Sequence, residues 1–98
     1  MSAGTLAPNG LIRDVTIVNQ RGLHARASAK FVQVASGFEA DVTVEKDGIS
    51  VGGTSIMGLM MLAASPGCSV RITASGREAA GALDALEALI STRFGEEC

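Results

Sequence analysis

Two kinds of apolar spacing alternate along the chain, and this alternation restricts its fold more than any other feature. Four short segments have apolar residues at every second position, a spacing typical of half-buried strands. Three other segments have apolar residues at helical spacing. The predicted order is strand, helix, strand, strand, helix, strand, helix. This order indicates an α+β fold, in which three helices cover one face of a sheet and solvent covers the other.

Turn and cap residues between these segments set the bounds of the predicted elements. Strands are expected at residues 13–18, 40–45, 49–52 and 69–74, and helices at residues 25 to about 36, 56 to about 63 and 78 to about 94. Asp47-Gly48 is a hairpin turn signal, Gly37 fits the end of the first helix, and Ser65-Pro66-Gly67 ends the second. The residues expected to face inward are Val15, Ile17, Ala27, Ser28, Phe31, Val32, Ala35, Val42, Val44, Val70, Ile72, Ala82, Leu83, Leu86, Leu89 and Ile90.

The only histidine of the chain, His24, follows a glycine turn at Gly22 and precedes the predicted start of the first helix. The backbone N–H groups of Ala25 and Arg26 are therefore expected among the unpaired donors of a helix N-terminus. Such donors, together with the helix dipole, form a cradle for a phosphate. The same field disfavours the charged imidazolium, so we expect His24 to be neutral and nucleophilic near neutral pH, in the state that attacks a phosphoryl group.

The neighbours of His24 support this chemistry. Arg26 supplies a guanidinium that can pair with phosphate oxygens, and Gly22 lets the loop turn sharply without a side chain that crowds the donor. No second base is visible beside the histidine. A lone histidine at a helix start is often only a cap or a surface residue, so the wider pattern has to decide between these two interpretations.

Two separate segments carry a resemblance to a known family. Gly22-Leu23-His24-Ala25-Arg26 and Gly53-Thr54-Ser55-Ile56-Met57-Gly58-Leu59-Met60 resemble the two signature segments of the HPr family, the histidine-containing phosphocarrier proteins of the bacterial phosphoenolpyruvate-dependent phosphotransferase system. The resemblance extends from about Asp14 to about Phe94. It implies an HPr-like open-faced β-sandwich of order βαββαβα, with a four-stranded antiparallel sheet and three helices on one face.

The resemblance also implies roles for three residues. It identifies His24 as the phosphorylatable histidine, Arg26 as its phosphate-binding arginine, and Ser55 as the regulatory serine that a dedicated kinase modifies in many members. Ser55 also stands where the N-cap of the second helix belongs, so its other interpretation is helix capping alone. The sequence departs from the family pattern at Ala27, where a proline is common, and at Thr54, where a basic residue is common.

By this resemblance the chain is a phosphoryl carrier and not an enzyme by itself. The phosphoryl group would pass from phosphoenolpyruvate through enzyme I to His24 and then to a histidine of an EIIA-type protein. Enzyme I, EIIA-type proteins and an HPr serine kinase/phosphorylase are the implied partners. No cofactor is implied, and neither a metal-ligand cluster nor a P-loop lysine occurs in the sequence. The alternative is an HPr-related regulator of carbon or nitrogen metabolism that acts mainly through protein binding, with little sugar transport.

The second predicted helix carries more apolar side chains than one core can take from two turns. The residues concerned are Ile56, Met57, Met60, Met61 and Leu62. In one interpretation, Leu59 and Leu62 enter the core while the methionines cover its edge. In the other, the exposed apolar side chains form a docking surface with the exposed side of the first helix, as the family resemblance implies. The docking residues expected on this basis are Ala25, Ala29, Ile56, Met57 and Met60.

Length and composition exclude several classes of function. With 98 residues, of which 47% are hydrophobic, the chain fits a single domain over residues 11–98 after a mobile leader over residues 1–10. A net charge of −2, no run of basic residues and only three aromatic residues argue against nucleic-acid binding. We expect no secretory signal, because residues 1–10 lack basic residues and a long apolar run, and no apolar segment is long enough to insert across a membrane. We therefore expect a cytoplasmic monomer, with Cys68 and Cys98 as free thiols.

Overall fold

The computed structural model describes residues 5–7 and 10–96, and these ranges contain five strands and three α-helices. The strands are β1 (Thr5–Ala7), β2 (Gly10–Thr16), β3 (Asp41–Lys46), β4 (Ile49–Gly52) and β5 (Ser69–Ser75). The helices are α1 (Ala25–Ala35), α2 (Ile56–Met61) and α3 (Ala79–Ser91), and a short 3₁₀ turn follows at Arg93–Gly95. The expected succession of strands and helices is confirmed, and one short strand precedes it.

All five strands form one antiparallel sheet in the order β1-β2-β5-β3-β4. The central strand β5 pairs with β2 on one side and with β3 on the other. Val15 lies opposite Val70, and Val44 lies opposite Ile72. Because side chains alternate between the two faces of a strand, this register turns all four side chains to the same face. The four strands of the expected sheet are present, with β1 added at one edge.

Strand β1 lies within residues 1–10, where the sequence predicts a mobile leader. Thr5–Ala7 pairs antiparallel with the first three residues of β2. This pairing occupies backbone N–H and C=O groups on the outer side of β2, which would otherwise form an open edge. Residues 1–4 and 8–9 lie outside the described residues, and so does that part of the predicted leader.

The core lies between one face of the sheet and the layer of helices. Its members from the strands and their ends are Val15, Ile17, Val42, Val44, Val70, Ile72 and Ala74, and its helix members include Ala27, Phe31, Ala35, Leu59, Ala82, Leu83, Leu86 and Ile90. Every residue predicted to face inward is buried except Val32 and Leu89, which pack partly buried against this cluster. The opposite face exposes polar side chains, including Asp14, Glu45 and Arg71. The expected open-faced α+β fold is confirmed.

The last helix ends earlier than the sequence predicts. α3 ends at Ser91, whereas the apolar spacing predicts a helix to about Phe94. Arg93 and Phe94 have φ angles of 61° and 55°, in the left-handed region, where an α-helix cannot continue. Phe94 explains the difference, because its buried side chain continues the apolar spacing although it belongs to the turn after the helix. This turn brings the following residue, Glu96, to the start of α1.

Three further features of the described residues concern membrane segments, cysteines and metal ligands. Over residues 5–7 and 10–96, no helix has both the length and the apolar character needed to span a membrane. Cys68 is a partly buried free cysteine, whereas Cys98 lies outside the described residues. The same part of the chain holds no group of three or more His, Cys, Asp or Glu side chains that could bind a metal ion.

Candidate functional site

His24 is the N-cap residue of α1, and its backbone is extended, with φ −73° and ψ −179°. Its carbonyl oxygen accepts a hydrogen bond from the N–H of Ser28 at 2.8 Å. Its Nδ1 atom accepts a hydrogen bond from the N–H of Arg26 at 3.3 Å. The lone pair of Nδ1 is therefore directed at the positive end of the helix. The predicted position of His24, directly before a helix that begins at Ala25, is confirmed.

The loop before His24 is hydrogen-bonded to the segment that follows α2. The N–H of Leu23 donates to the carbonyl oxygen of Ala64 at 3.0 Å, and the Leu23 side chain is buried. Gly22 has a φ of 63°, and a Cβ at this position would lie 2.1 Å from the same carbonyl oxygen. Both the backbone conformation and the close approach of Ala64 therefore require a glycine. The left-handed backbone of Gly22 agrees with the sharp turn expected there, whereas the close approach of Ala64 was not expected from the sequence.

A carboxylate that the sequence does not reveal lies beside the imidazole. Nε2 of His24 donates a hydrogen bond to Oε2 of Glu96. The other carboxylate oxygen, Oε1, accepts from Nδ2 of Asn19 at 3.1 Å. The same amide group donates to the carbonyl oxygen of Gly22 at 2.9 Å, and Asn19 is fully buried. The sequence shows no second base beside His24, and the fold brings this one from 72 residues away.

The two hydrogen bonds of the His24 ring assign its protons. A backbone N–H faces Nδ1 and a carboxylate oxygen faces Nε2, so the neutral ring carries its proton on Nε2 and leaves Nδ1 as an acceptor. The imidazole is 22% exposed, while the side chain of Glu96 is 10% exposed. The ring is thus oriented by two partners and still accessible to another protein.

The carboxyl group of Glu96 is ionised in this environment. Burial by itself raises its pKa, but the hydrogen bonds from His24 and Asn19 favour the ionised form. The net result is a pKa below the ordinary value of 4.5. Near neutral pH the imidazole therefore has a negative charge next to Nε2.

The segment around Ser55 caps α2 and exposes an apolar surface. Ser55 is the N-cap residue, and its Oγ accepts a hydrogen bond from the N–H of Gly58 at 3.0 Å. Leu59 and Leu62 are buried, as one of the two interpretations predicts. The other large apolar side chains of the helix remain exposed and line one continuous surface, called the α2 surface below. Its residues are Ile56, Met57, Met60 and Met61.

The predicted site residues lie on, or at the start of, two helices that pack against each other. α1 carries Arg26, Ala25 and Ala29, while Ile56, Met57 and Met60 belong to α2. Arg26 is exposed in the first turn of α1, and all five predicted docking residues are exposed. Met61 is 74% exposed and was not among them. The sequence did not reveal Glu96, because 72 residues separate it from His24 and no local spacing signals such a contact. Asn19 was missed with it, because Asn19 contacts the carboxylate of Glu96.

An open-faced α+β domain with an accessible histidine at a helix N-terminus has the geometry that a small histidine phosphocarrier needs, because the helix end favours a phosphoryl group bound to that histidine. A family model described as "PTS HPr component phosphorylation site" matches residues 12–92. The chain therefore belongs to the HPr family, the phosphocarrier proteins of the phosphotransferase system.

Individual relatives agree with this assignment. The chain is 51% identical to phosphocarrier protein HPr of Cupriavidus necator over 86 residues, and this aligned segment covers 88% of this chain and 97% of that protein. It is 40% identical over 86 residues to phosphocarrier protein NPr of Shewanella violacea, which covers 88% of this chain and 94% of the relative. The crystal structure of HPr-C-His from Thermoanaerobacter tengcongensis superposes with a TM-score of 0.84 at 45% identity, covering 89% of this chain and 98% of that one. The family resemblance drawn from the sequence is confirmed.

Proposed function

We propose that His24 is the residue of this phosphocarrier that accepts the phosphoryl group from phospho-enzyme I and passes it to an EIIA-type protein. The observation that carries the proposal is the Nδ1 atom of His24, whose lone pair lies at the N-terminus of α1 on an accessible ring. A neutral imidazole nitrogen is a nucleophile for phosphorus, and a helix N-terminus favours the anion that results. Nδ1 of His24 is placed as a hydrogen-bond acceptor at such a helix end, which supports its role as the attacking atom.

Attack by Nδ1 would place the phosphate among the donors of the first turn of α1. The N–H of Arg26 donates to Nδ1 before the attack and is released to a phosphate oxygen afterwards. The N–H of Ala25 is the adjacent donor at this helix end. The guanidinium of Arg26 adds a charge-assisted contact with two phosphate oxygens. This limited set of contacts suits a carrier, because a phosphate that is bound too tightly would not leave.

Intact-mass measurement tests the role of His24. Wild type and His24→Ala are incubated with enzyme I, phosphoenolpyruvate and Mg²⁺, and the acid lability of any added phosphate is followed. We expect one acid-labile phosphate on the wild type and none on the variant. A wild-type chain that takes up no phosphate from an active cognate enzyme I would contradict the carrier role.

The α2 surface, with Ala25 and Ala29 of α1, is the proposed contact for enzyme I and EIIA-type proteins. All of these residues are exposed. Ala25 and Ala29 belong to the helix that His24 caps, and the α2 surface lies on the helix packed against it. Methionine side chains are flexible and polarisable, so one surface can fit several partners. A partner that covers this surface would also bring its reactive group to Nδ1.

Phosphorylation of Ser55 by a serine kinase is the proposed control of docking. A phosphate would add about −1.5 to −2 charges next to apolar side chains that lose water when a partner binds. Ser55→Asp is therefore expected to raise the KM for enzyme I. Ser55→Asn is the matched control, because asparagine has the same shape, carries no charge and caps a helix equally well. Equal KM values for Ser55→Asp and Ser55→Asn would contradict the proposal that a phosphate on Ser55 weakens docking.

A second candidate function is regulation of carbon or nitrogen metabolism through protein binding, with little sugar transport. The 40% identity to phosphocarrier protein NPr of Shewanella violacea supports this second function. The acceptor distinguishes the two functions, so phosphorylated chain is mixed with a panel of EIIA-type proteins from the same genome. Fast transfer to sugar-specific proteins supports uptake, and transfer only to EIIA-type proteins without transporter partners supports regulation. For both functions the proposed form is a cytoplasmic monomer without a cofactor.

A further inference from the structure

We propose that Glu96 is a positioning residue of the transfer site: its carboxylate orients the His24 ring through Nε2 and stabilises the positive charge that the ring acquires when Nδ1 binds phosphorus. This inference rests on the proposed function and deepens it. Its starting point is the contact between Nε2 and the Glu96 carboxylate. Neither signature segment contains Glu96, so the contact is visible only in the folded chain.

The electron and proton balance of the reaction explains why a charge beside Nε2 matters. Nδ1 gives its lone pair to phosphorus while the bond from phosphorus to the donor atom of phospho-enzyme I breaks, and that electron pair stays on the donor atom. The Nε2 proton does not move, so the ring changes from neutral to positive. In the second transfer a histidine nitrogen of the EIIA-type protein gives its lone pair to phosphorus while the Nδ1–phosphorus bond breaks; the electron pair of that bond returns to Nδ1, and the ring is neutral again. A carboxylate beside a histidine stabilises the same kind of charge in serine hydrolases.

A buried amide group orients the carboxylate. Nδ2 of Asn19 donates to Oε1 of Glu96 at 3.1 Å and to the carbonyl oxygen of Gly22 at 2.9 Å. Both carboxylate oxygens therefore have a donor, one from the amide and one from the ring. Among the described residues, Oδ1 of Asn19 is buried without a hydrogen-bond partner. Leaving that oxygen unpaired is unfavourable, which indicates that the amide is oriented for the sake of its donor groups.

The backbone before the carboxylate adopts an unfavourable conformation that brings it to the ring. Arg93, Phe94 and Gly95 have φ angles of 61°, 55° and 76°. Residues other than glycine rarely adopt this region. The side chain of Phe94 is buried in the core, and a hydrogen bond from Nζ of Lys30 to the Phe94 carbonyl oxygen, at 2.5 Å, joins the turn to α1. Because His24 caps the same helix, the turn also fixes the carboxylate relative to the imidazole.

Two variants of the full chain separate orientation from charge. Glu96→Gln keeps an oxygen that accepts from Nε2 but removes the charge, whereas Glu96→Ala removes both. Glu45→Gln is the control, because Glu45 is exposed on the open face of the sheet and its replacement changes the net charge equally. NMR follows the Nε2 proton of the unphosphorylated ring. Kinetics with phospho-enzyme I then separates kcat from KM.

We expect wild type and Glu45→Gln to show a downfield Nε2 proton that exchanges slowly with solvent, and to have equal kcat values. Glu96→Gln should keep part of this protection while kcat falls about tenfold at unchanged KM, since a neutral acceptor stabilises the charged ring less. Glu96→Ala should lose the protection and lower kcat at least as much.

Three results would overturn the role of Glu96: a wild-type Nε2 proton that exchanges freely, a Glu96→Gln variant with the kcat of the wild type, or an effect confined to KM. Failure of the carrier role is distinguishable, because it would appear as a wild-type chain that takes up no phosphate. In that case the NMR comparison would still report the contact between the carboxylate and the ring.

Discussion

The surroundings of His24 and the α2 surface differ in nearly every physical property, although α1 and α2 pack side by side. Around His24 each ring nitrogen has a hydrogen-bond partner, and the loop before the ring is bound to the Ala64 carbonyl group. α2 is a helix of only six residues, and its Met57 and Met61 side chains are each 74% exposed. One region is polar and held by hydrogen bonds, while the other is apolar and exposed to solvent.

The difference corresponds to two tasks. Phosphoryl transfer needs a nucleophile whose proton and direction are set before the partner arrives. Docking to several partners needs a surface whose side chains adapt to each of them, which unbranched methionines do well. Substitutions around His24 should therefore alter transfer or the local fold, and substitutions on the α2 surface should alter docking.

The largest effect is expected from His24→Asn. Asparagine is a preferred N-cap residue, so α1 should keep its start and the free energy of unfolding should change by less than about 1 kcal/mol. All acid-labile phosphate should be lost, because the amide nitrogen of asparagine is not a nucleophile for phosphorus. Intact mass and urea unfolding measure the two quantities. Phosphate that persists on the variant would show that another residue is the carrier.

Gly22→Ala tests how firmly the loop before His24 is placed. The new Cβ would lie 2.1 Å from the Ala64 carbonyl oxygen at a φ of 63°, so we expect unfolding to become easier by about 3 kcal/mol. Gly48→Ala is the control, because Gly48 has a φ of 81° and open space around it. Its loss should be about 1 kcal/mol. Equal losses in urea unfolding would show that the loop moves away from Ala64 without penalty.

Met57→Glu tests the other region. A charge on the α2 surface must lose water on docking, so we expect the KM for enzyme I to rise about tenfold while kcat and stability change little. Ile49→Glu is the control, because Ile49 is 57% exposed on β4 and lies outside the α2 surface. A similar rise in KM for both variants would mean that docking responds to net charge and not to this surface.

The smallest effect concerns the pH dependence of stability. The pKa of Glu96 lies below its ordinary value of 4.5, because the hydrogen bonds from His24 and Asn19 outweigh the effect of burial. The unfolded chain therefore binds this proton at a higher pH than the folded chain does, and the stabilisation is lost as pH falls through the lowered pKa. Urea unfolding of wild type and Glu96→Gln should differ near neutral pH and converge in acid. A constant difference down to acid pH would contradict this linkage.

Most of the fold was predictable because its signals are local. Alternation at Val42 and Val44 and the Asp47-Gly48 turn predicted the β3–β4 hairpin, and the structure places it there. The end of α3 was not predictable, since Phe94 keeps the apolar spacing after the chain has left the helix. Strand β1 was missed for a related reason, because pairing at a sheet edge depends on the neighbouring strand and not on spacing within the segment.

The candidate site likewise has contacts that are local in the chain, which the sequence predicted, and contacts between distant residues, which it did not. The sequence by itself determined that His24 stands at the start of α1 and that Ser55 caps α2, because capping involves residues within one helical turn. Only the tertiary structure decided that Glu96 binds Nε2 and that Ala64 requires a glycine in the loop before the ring. These contacts join residues that are distant in the chain, and the packing of the whole core brings them together.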